Sequence, residues 1–166
     1  MDMVDNQLKV LIVDDDEDDI FLVREMLREG LLETDLILDY ALTGADAVSL
    51  INKGDYDIFL LDLHLGKADG LSILKYIHDK NSSVPVVFLT SQGDQEKAVE
   101  VMKAGATDYL IKSKLSVESL TQSIRSAIKL EGEKTQRAIA EHSLEVQGEL
   151  LQGISNAMHK LLTVAE

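Results

Sequence analysis

The feature that most limits the fold is an alternation of two periodicities. Five short apolar runs rich in β-branched or aromatic residues, "LKVLIV" (8–13), "LILDYAL" (36–42), "YDIFLLD" (56–62), "VPVVFLT" (84–90) and "TDYLIK" (107–112), have the length and composition of strands. Between them, Ile20, Val23 and Leu27; Ala47, Val48 and Ile51; Leu71, Leu74 and Ile77; and Ala98, Val99 and Met102 recur at spacings of three and four, as in amphipathic helices. Gly30, Gly54 and Gly105 are expected to supply left-handed residues after helices, and Asp94 to cap the next one. Pro85 falls at the start of a strand, where a missing N–H is tolerated.

Strict βα alternation predicts an α/β fold: a doubly wound, five-stranded parallel sheet with helices on both faces and right-handed crossovers. Ligands of such sheets bind beyond the carboxyl ends of the strands. Those ends carry Asp14, Asp15 and Asp16, then Asp62, Thr90 and Lys112, so several separate strands deliver polar groups to one edge.

At 166 residues the chain is long enough for one domain of ~100–150 residues and an appendage. The 30 acidic against 16 basic residues, a formal charge of −14, disfavour nucleic-acid binding, which relies on clustered Lys and Arg. Without cysteine there are neither disulfides nor thiolate metal sites. The opening "MDMVDNQLKV" has no positively charged and apolar signal region, and no stretch approaches the ~18 apolar residues of a membrane span. The expectation is a soluble, cytoplasmic protein.

The acidic run in "LIVDDDEDDI" (11–20) admits several chemistries. Asp14, Asp16, Asp18 and Glu25 match positions 1, 3, 5 and 12 of a calcium loop, but Asp19 replaces the glycine required at position 6, and the incoming segment is a strand. Asp14 and Asp16 match the paired aspartates of haloacid-dehalogenase-like phosphatases, which normally carry Thr or Val where this chain has Asp18 and need a larger scaffold. A solvated loop that starts a helix accounts for Asp16 to Asp19. It does not account for Asp14 and Asp15, which abut a buried strand and repel each other unless a cation is present.

Asp14, Asp15 and Asp62 together suit a hard divalent cation that retains waters and binds phosphate oxygens, a description that Mg²⁺ fits. Thr90 adds a hydroxyl donor, and Lys112 an ammonium able to pair with a carboxylate or a phosphoryl group. Taken singly, Asp62 also reads as a solvated strand end, Thr90 as a terminal hydroxyl, Lys112 as a surface lysine and Tyr109 as a core-flanking aromatic. Their joint occurrence at one edge points to phosphoryl transfer, with an aspartate accepting the group as an acyl phosphate.

Over about residues 6 to 130 the chain resembles the receiver domains of two-component response regulators. The resemblance is carried by "LIVDDDEDD", "FLLDLHLGKADG", "VVFLTSQGD" and "GATDYLIKS", in that order at successive strand ends. It implies a flavodoxin-like (βα)5 fold of strand order 2-1-3-4-5, phosphorylated on Asp62 by a phosphohistidine donor in a sensor histidine kinase or phosphotransfer protein. It implies Mg²⁺ held directly by Asp15 and Asp62, through water by Asp14, and by the His64 carbonyl. Thr90 and Lys112 would bind the phosphoryl oxygens, and Tyr109 would be the switch aromatic, turning inward as Thr90 moves. On this reading the chain is no enzyme toward other substrates; at most it catalyses its own phosphorylation and dephosphorylation. Two positions depart from the family: Gly66 stands where many members have proline, with a looser acceptor loop expected, and Ser113 replaces the proline that often follows the lysine in a cis bond.

Residues 131–166 form an appendage with no sixth strand. Leu144, Leu151, Ile154, Met158 and Leu161 follow a heptad-like spacing, flanked by Val146, Leu150 and Ala157. A signalling or dimerisation helix is expected, resembling those that lead into sensory or catalytic output modules. The competing reading is a receiver fold that dimerises through its helices without phosphorylation. His142 and His159 lie in this tail without the neighbours of a phosphohistidine box and are expected to be helix-surface residues.

Overall fold

The computed structural model describes residues 6–80, 82–91 and 95–164. The elements in order are β1 (Gln7–Val13), α1 (Glu17–Gly30), β2 (Asp35–Ala41), α2 (Gly44–Lys53), β3 (Ile58–Asp62), β4 (His64–Leu65), β5 (Ala68–Asp69), α3 (Gly70–Asp79), β6 (Val86–Thr90), α4 (Gln95–Lys103), β7 (Asp108–Ile111) and α5 (Val117–Val164). The main sheet is parallel throughout, in the order β2-β1-β3-β6-β7, the expected 2-1-3-4-5 when only its own strands are counted. The Pro85 carbonyl accepts the Phe59 N–H (3.0 Å), so the proline sits just ahead of β6 and removes no ladder bond.

Alternation along each strand splits the core in two. Leu11, Val13, Phe59, Leu61, Val86 and Phe88 face one side, with Ala47 of α2, Ile73, Leu74 and Ile77 of α3, and Val101 of α4. Val10, Ile12, Ile58, Leu60, Val87 and Leu89 face the other, with Ile20, Val23 and Leu27 of α1 and Leu120, Ile124 and Ala127 of α5. All five residues of β3 and of β6 are buried, as expected for strands covered on both faces.

Several local expectations are corrected. In α4 the inward pair is Ala98 and Val101, while Val99 and Met102 are 54% and 39% exposed. Four apolar residues at 98, 99, 101 and 102 offer two faces with the same spacing of three, and periodicity does not choose between them. Gly105 does adopt a left-handed conformation (φ +107°), but Gly30 and Gly54 do not. Gly30 is needed for space: a Cβ there would overlap Thr121 and lie 2.9 Å from Val117 Cγ1, where α5 begins. Asp94 lies outside the described residues.

The β3–α3 connection holds an unforeseen antiparallel hairpin, with His64 opposite Asp69 and Leu65 opposite Ala68. Gly66 occupies its turn at φ +63°, which proline, locked near −65°, cannot adopt. The substitution therefore goes with a paired hairpin and not with a looser loop. Lys112 falls one residue past β7, in a 3₁₀ turn (Lys112–Lys114), and the described residues contain no cis peptide bond.

The chain divides into two compact units, Met1–Glu131 and Gly132–Glu166. In the second, every described residue is exposed, including Leu144 (68%), Leu151 (67%) and Met158 (59%).

Candidate functional site

The site begins where β1 stops. The Asp14 N–H still donates to Ala41 O of β2 (3.1 Å), which holds Asp14 in line with the sheet and leaves it 2% exposed. Its Oδ1 accepts the Asp16 N–H (3.0 Å), turning the chain toward α1. Asp16 is the N-cap, accepting from the N–H groups of Asp18 (2.9 Å) and Asp19 (3.4 Å). Glu17, Asp18 and Asp19 then place negative charge in the first turn, where the helix dipole favours it. The run therefore contains the local turn chemistry that explains its middle.

Asp62 ends β3 at 6% exposure, and its Oδ1 accepts the His64 N–H (3.2 Å) as the chain enters the hairpin. The Gly70 N–H returns to Leu63 O (2.9 Å), so the start of α3 rests on the end of β3. A Cβ at Gly70 would overlap the Asp62 carbonyl oxygen and lie 2.9 Å from Phe88 Cε1 and 3.1 Å from Leu63 Cα. Only glycine lets the helix approach the strand this closely.

One carboxylate oxygen each from Asp14, Asp15 and Asp62 lies within 4.8 Å of the other two. Asp14 and Asp62 are buried, whereas Asp15 faces solvent. Lys112 Nζ approaches the same group, 2.7 Å from Asp14 Oδ2, 3.0 Å from Asp62 Oδ2 and 2.9 Å from Asp19 Oδ2. Thr90 ends β6 at 2% exposure. The register sets Asp62 opposite Leu89, so Thr90 stands one residue further along the same edge. Tyr109 of β7 is opposite Phe88 and 37% exposed. His64 presents an exposed side chain in β4.

Among the described residues the electrostatics follow from an imbalance: Asp14, Asp15, Asp19 and Asp62 gather around the Lys112 ammonium. Burial, with the Asp62 charge, pushes the Asp14 carboxyl up to about 6, against the lowering by its bonds to Lys112 and the Asp16 N–H. Burial works against the Lys112 charge, but its bonds to Asp14, Asp19 and Asp62 outweigh it and raise its pKa. The pairing alone would lower the acid and raise the base. Asp14 nevertheless moves toward holding its proton, chiefly because burial disfavours its charge and secondarily because Asp62 is negative, while Lys112 holds its proton through its three carboxylate partners. Hard oxygen donors with uncompensated charge fit a divalent cation such as Mg²⁺, with Asp14, Asp15 and Asp62 as the side chains able to hold it.

Sequence reasoning placed Asp19 only in the loop and helix start and missed its bond to Lys112. The one available signal was its position in the first turn after the strand, which Asp18 shares. The side chain that points at the sheet edge is decided by where α1 packs.

The model of the response regulator receiver domain matches residues 10–125. Transcriptional regulatory protein ZraR of Salmonella typhimurium is 32% identical over 126 residues, 76% of this chain and 27% of that protein. Regulatory protein LuxO of Vibrio cholerae is 35% identical over 120 residues, 70% of this chain and 26% of that protein. Transcriptional regulatory protein CusR of Escherichia coli is 34% identical over 105 residues, 63% and 44% of the two chains. The chain thus spans less than half the length of these curated relatives. Among solved structures, the receiver domain of the Francisella response regulator 1452 is 30% identical with a TM-score of 0.62, covering 74% of this chain and 97% of that one. Together with the sheet order and the edge at which the carboxylates meet, the match over residues 10–125 shows that the chain belongs to the response regulator receiver domain family.

Proposed function

We propose that this chain accepts a phosphoryl group on Asp62 from the phosphohistidine of a sensor histidine kinase or phosphotransfer protein, in a Mg²⁺-dependent reaction. The observation that carries the reading is the Lys112 ammonium bridging Asp14 (2.7 Å) and Asp62 (3.0 Å) beside the group of three carboxylates. An Asp62 oxygen attacks phosphorus and forms the O–P bond; the P–N bond breaks, and the imidazole leaves with the electron pair and takes up a proton. Asp15 and Asp62, Asp14 through water, and the His64 carbonyl would hold Mg²⁺, which supplies positive charge to the phosphoryl oxygens. Lys112 shifts from a carboxylate partner to a phosphoryl oxygen, and the Thr90 hydroxyl donates to another. Movement of Thr90 toward the phosphoryl group draws Tyr109 inward and changes the α4–β7–α5 face. The reaction ends on the protein itself, so the chain acts as a phosphoacceptor and not as an enzyme on other substrates.

The tail is proposed to carry the signal as a helix that pairs with a second copy and leads toward an output module. Support comes from Leu144, Leu151, Ile154, Met158 and Leu161, all at least half exposed on one heptad-like stripe. No described helix is long and apolar enough to cross a membrane, and with a charge of −14 we place the chain in the cytoplasm without a direct nucleic-acid partner. The second reading, dimerisation without phosphorylation, is favoured by the same exposed stripe.

Incubation with acetyl phosphate and Mg²⁺ followed by intact-mass measurement distinguishes the two. A single phosphoryl adduct that is absent from Asp62→Asn is expected, and an unlabelled wild-type chain beside a labelled control receiver would favour the second reading. Sedimentation of the wild type and of a Leu151→Asp/Met158→Asp variant tests the tail. Identical monomers in both would remove the dimer from either reading.

A further inference from the structure

We infer that Asp19 is a positioning residue that tethers the Lys112 ammonium over the acceptor carboxylate; the functional part of this inference rests on the phosphoacceptor reading of Asp62. An ammonium has three N–H donors. Those of Lys112 are directed at Asp14, Asp62 and Asp19, at 2.7, 3.0 and 2.9 Å. Asp14 and Asp62 also belong to the carboxylate group able to share a cation, and on the phosphoacceptor reading an Asp62 oxygen is the one that bonds to phosphorus. Each of those two bonds is therefore weakened or replaced when the site is loaded. Asp19 stands outside that group, in the first turn of α1. Its bond is the one that neither a cation nor a phosphoryl group competes for directly.

The placement is built by the fold. The Asp16 cap holds the Asp19 N–H (3.4 Å), and Ile20 next to it is anchored in the core at 3% exposure. Lys112 is only 17% exposed at its side chain, against 37% for Asp19, so the ammonium sits inward of its tether. Asp18, in the same turn and carrying the same charge, is not among the carboxylates that Lys112 bonds within the described residues. Helix-dipole charge and the specific contact can therefore be separated by comparing the two positions.

The test uses the full chain with Asp19→Asn, Asp18→Asn, Lys112→Met and the Asp19→Asn/Lys112→Met double variant. The first measurement is hydrogen exchange of the Lys112 ammonium by nitrogen-15 NMR in metal-free buffer. The second is the rate of adduct formation from acetyl phosphate and Mg²⁺ by intact mass. Asp19→Asn should speed ammonium exchange and slow phosphorylation by about two- to fivefold, the range that a partly exposed ion pair is worth. Asp18→Asn should leave both at the wild-type value, and Asp19→Asn should have no further effect once Lys112 is methionine. Unchanged exchange in Asp19→Asn, an equal loss in Asp18→Asn, or a loss that persists without Lys112 would each overturn the tether. Faster exchange in a chain whose wild type takes no phosphoryl group would support the contact and overturn the acceptor reading instead.

Discussion

Replacing Gly70 with alanine adds one methyl group at the joint between β3, which ends at Asp62, and α3. Ordinary carbon–carbon contact is about 3.5–4.0 Å. The new Cβ would lie 2.9 Å from Phe88 Cε1 and 3.1 Å from Leu63 Cα, and would overlap the Asp62 carbonyl oxygen. Two of the three neighbours are backbone and cannot rotate away; the third belongs to Phe88, which is fully buried. Relief requires the first turn of α3 or the end of β3 to move by roughly 0.5–1 Å, and overpacking of this kind costs about 1–3 kcal/mol. With so little room to yield, we expect about 3 kcal/mol, only partly offset by the better helix propensity of alanine at a terminal position. For a unit of this size that corresponds to a fall in Tm on the order of 10 °C. Urea denaturation of the full chain, followed by far-UV circular dichroism, gives the free energy. The same displacement shifts Asp62, so labelling by acetyl phosphate should slow as well. A Gly70→Ala chain within about 0.5 kcal/mol of the wild type, below the range for overpacking, would refute the steric requirement and, with it, the role of Gly70 in holding Asp62.

Lys112→Met should lower stability by about 2 kcal/mol in chelator, less than the ~3–5 kcal/mol of a fully buried broken pair because Asp14 can take up a proton. Mg²⁺ should narrow that difference, and equal denaturation midpoints in chelator would contradict the bridging role. The raised Asp14 pKa favours the folded state most when the carboxyl is protonated, so its contribution is complete below about 3.8 and is lost as pH rises through about 6. In metal-free buffer the stability of the wild type relative to Asp14→Asn should therefore fall across that window; a flat difference would rule the shift out. Gly148 has no neighbour within 4 Å of a Cβ, so Gly148→Ala should raise the helix content of the tail, by up to ~1 kcal/mol of local helix stability. Circular dichroism showing no gain would indicate that the glycine is not in a helix interior.

The two periodicities were readable because each is a property of near neighbours. Strand runs are short and apolar, helical runs repeat at three and four, and burial on both faces of the sheet keeps β3 and β6 apolar up to the Asp62 and Thr90 that end them. The paired hairpin after Asp62 was not readable, since its strands of two residues each are shorter than any periodic signal. The inward face of α4 was ambiguous for a related reason: Ala98/Val101 and Val99/Met102 are equivalent in sequence and separate only when the helix is laid on the sheet. Gly30 invited a left-handed reading, and only the packing of Thr121 against it reveals that space is what it provides.

From the residues alone came the alternating βα order, the edge at which polar groups collect, and the excess of acid there. Local spacing and charge suffice for each of these. Which acids share the Lys112 ammonium was a tertiary decision: Lys112 lies 98 positions from Asp14, 93 from Asp19 and 50 from Asp62. Those separations close only because β1, β3 and β7 end at the same edge and α1 starts there with Asp19 turned inward. Hydrogen bonds of about 3 Å are set by that convergence, and no pattern along the chain encodes which member of an acidic run will reach across it.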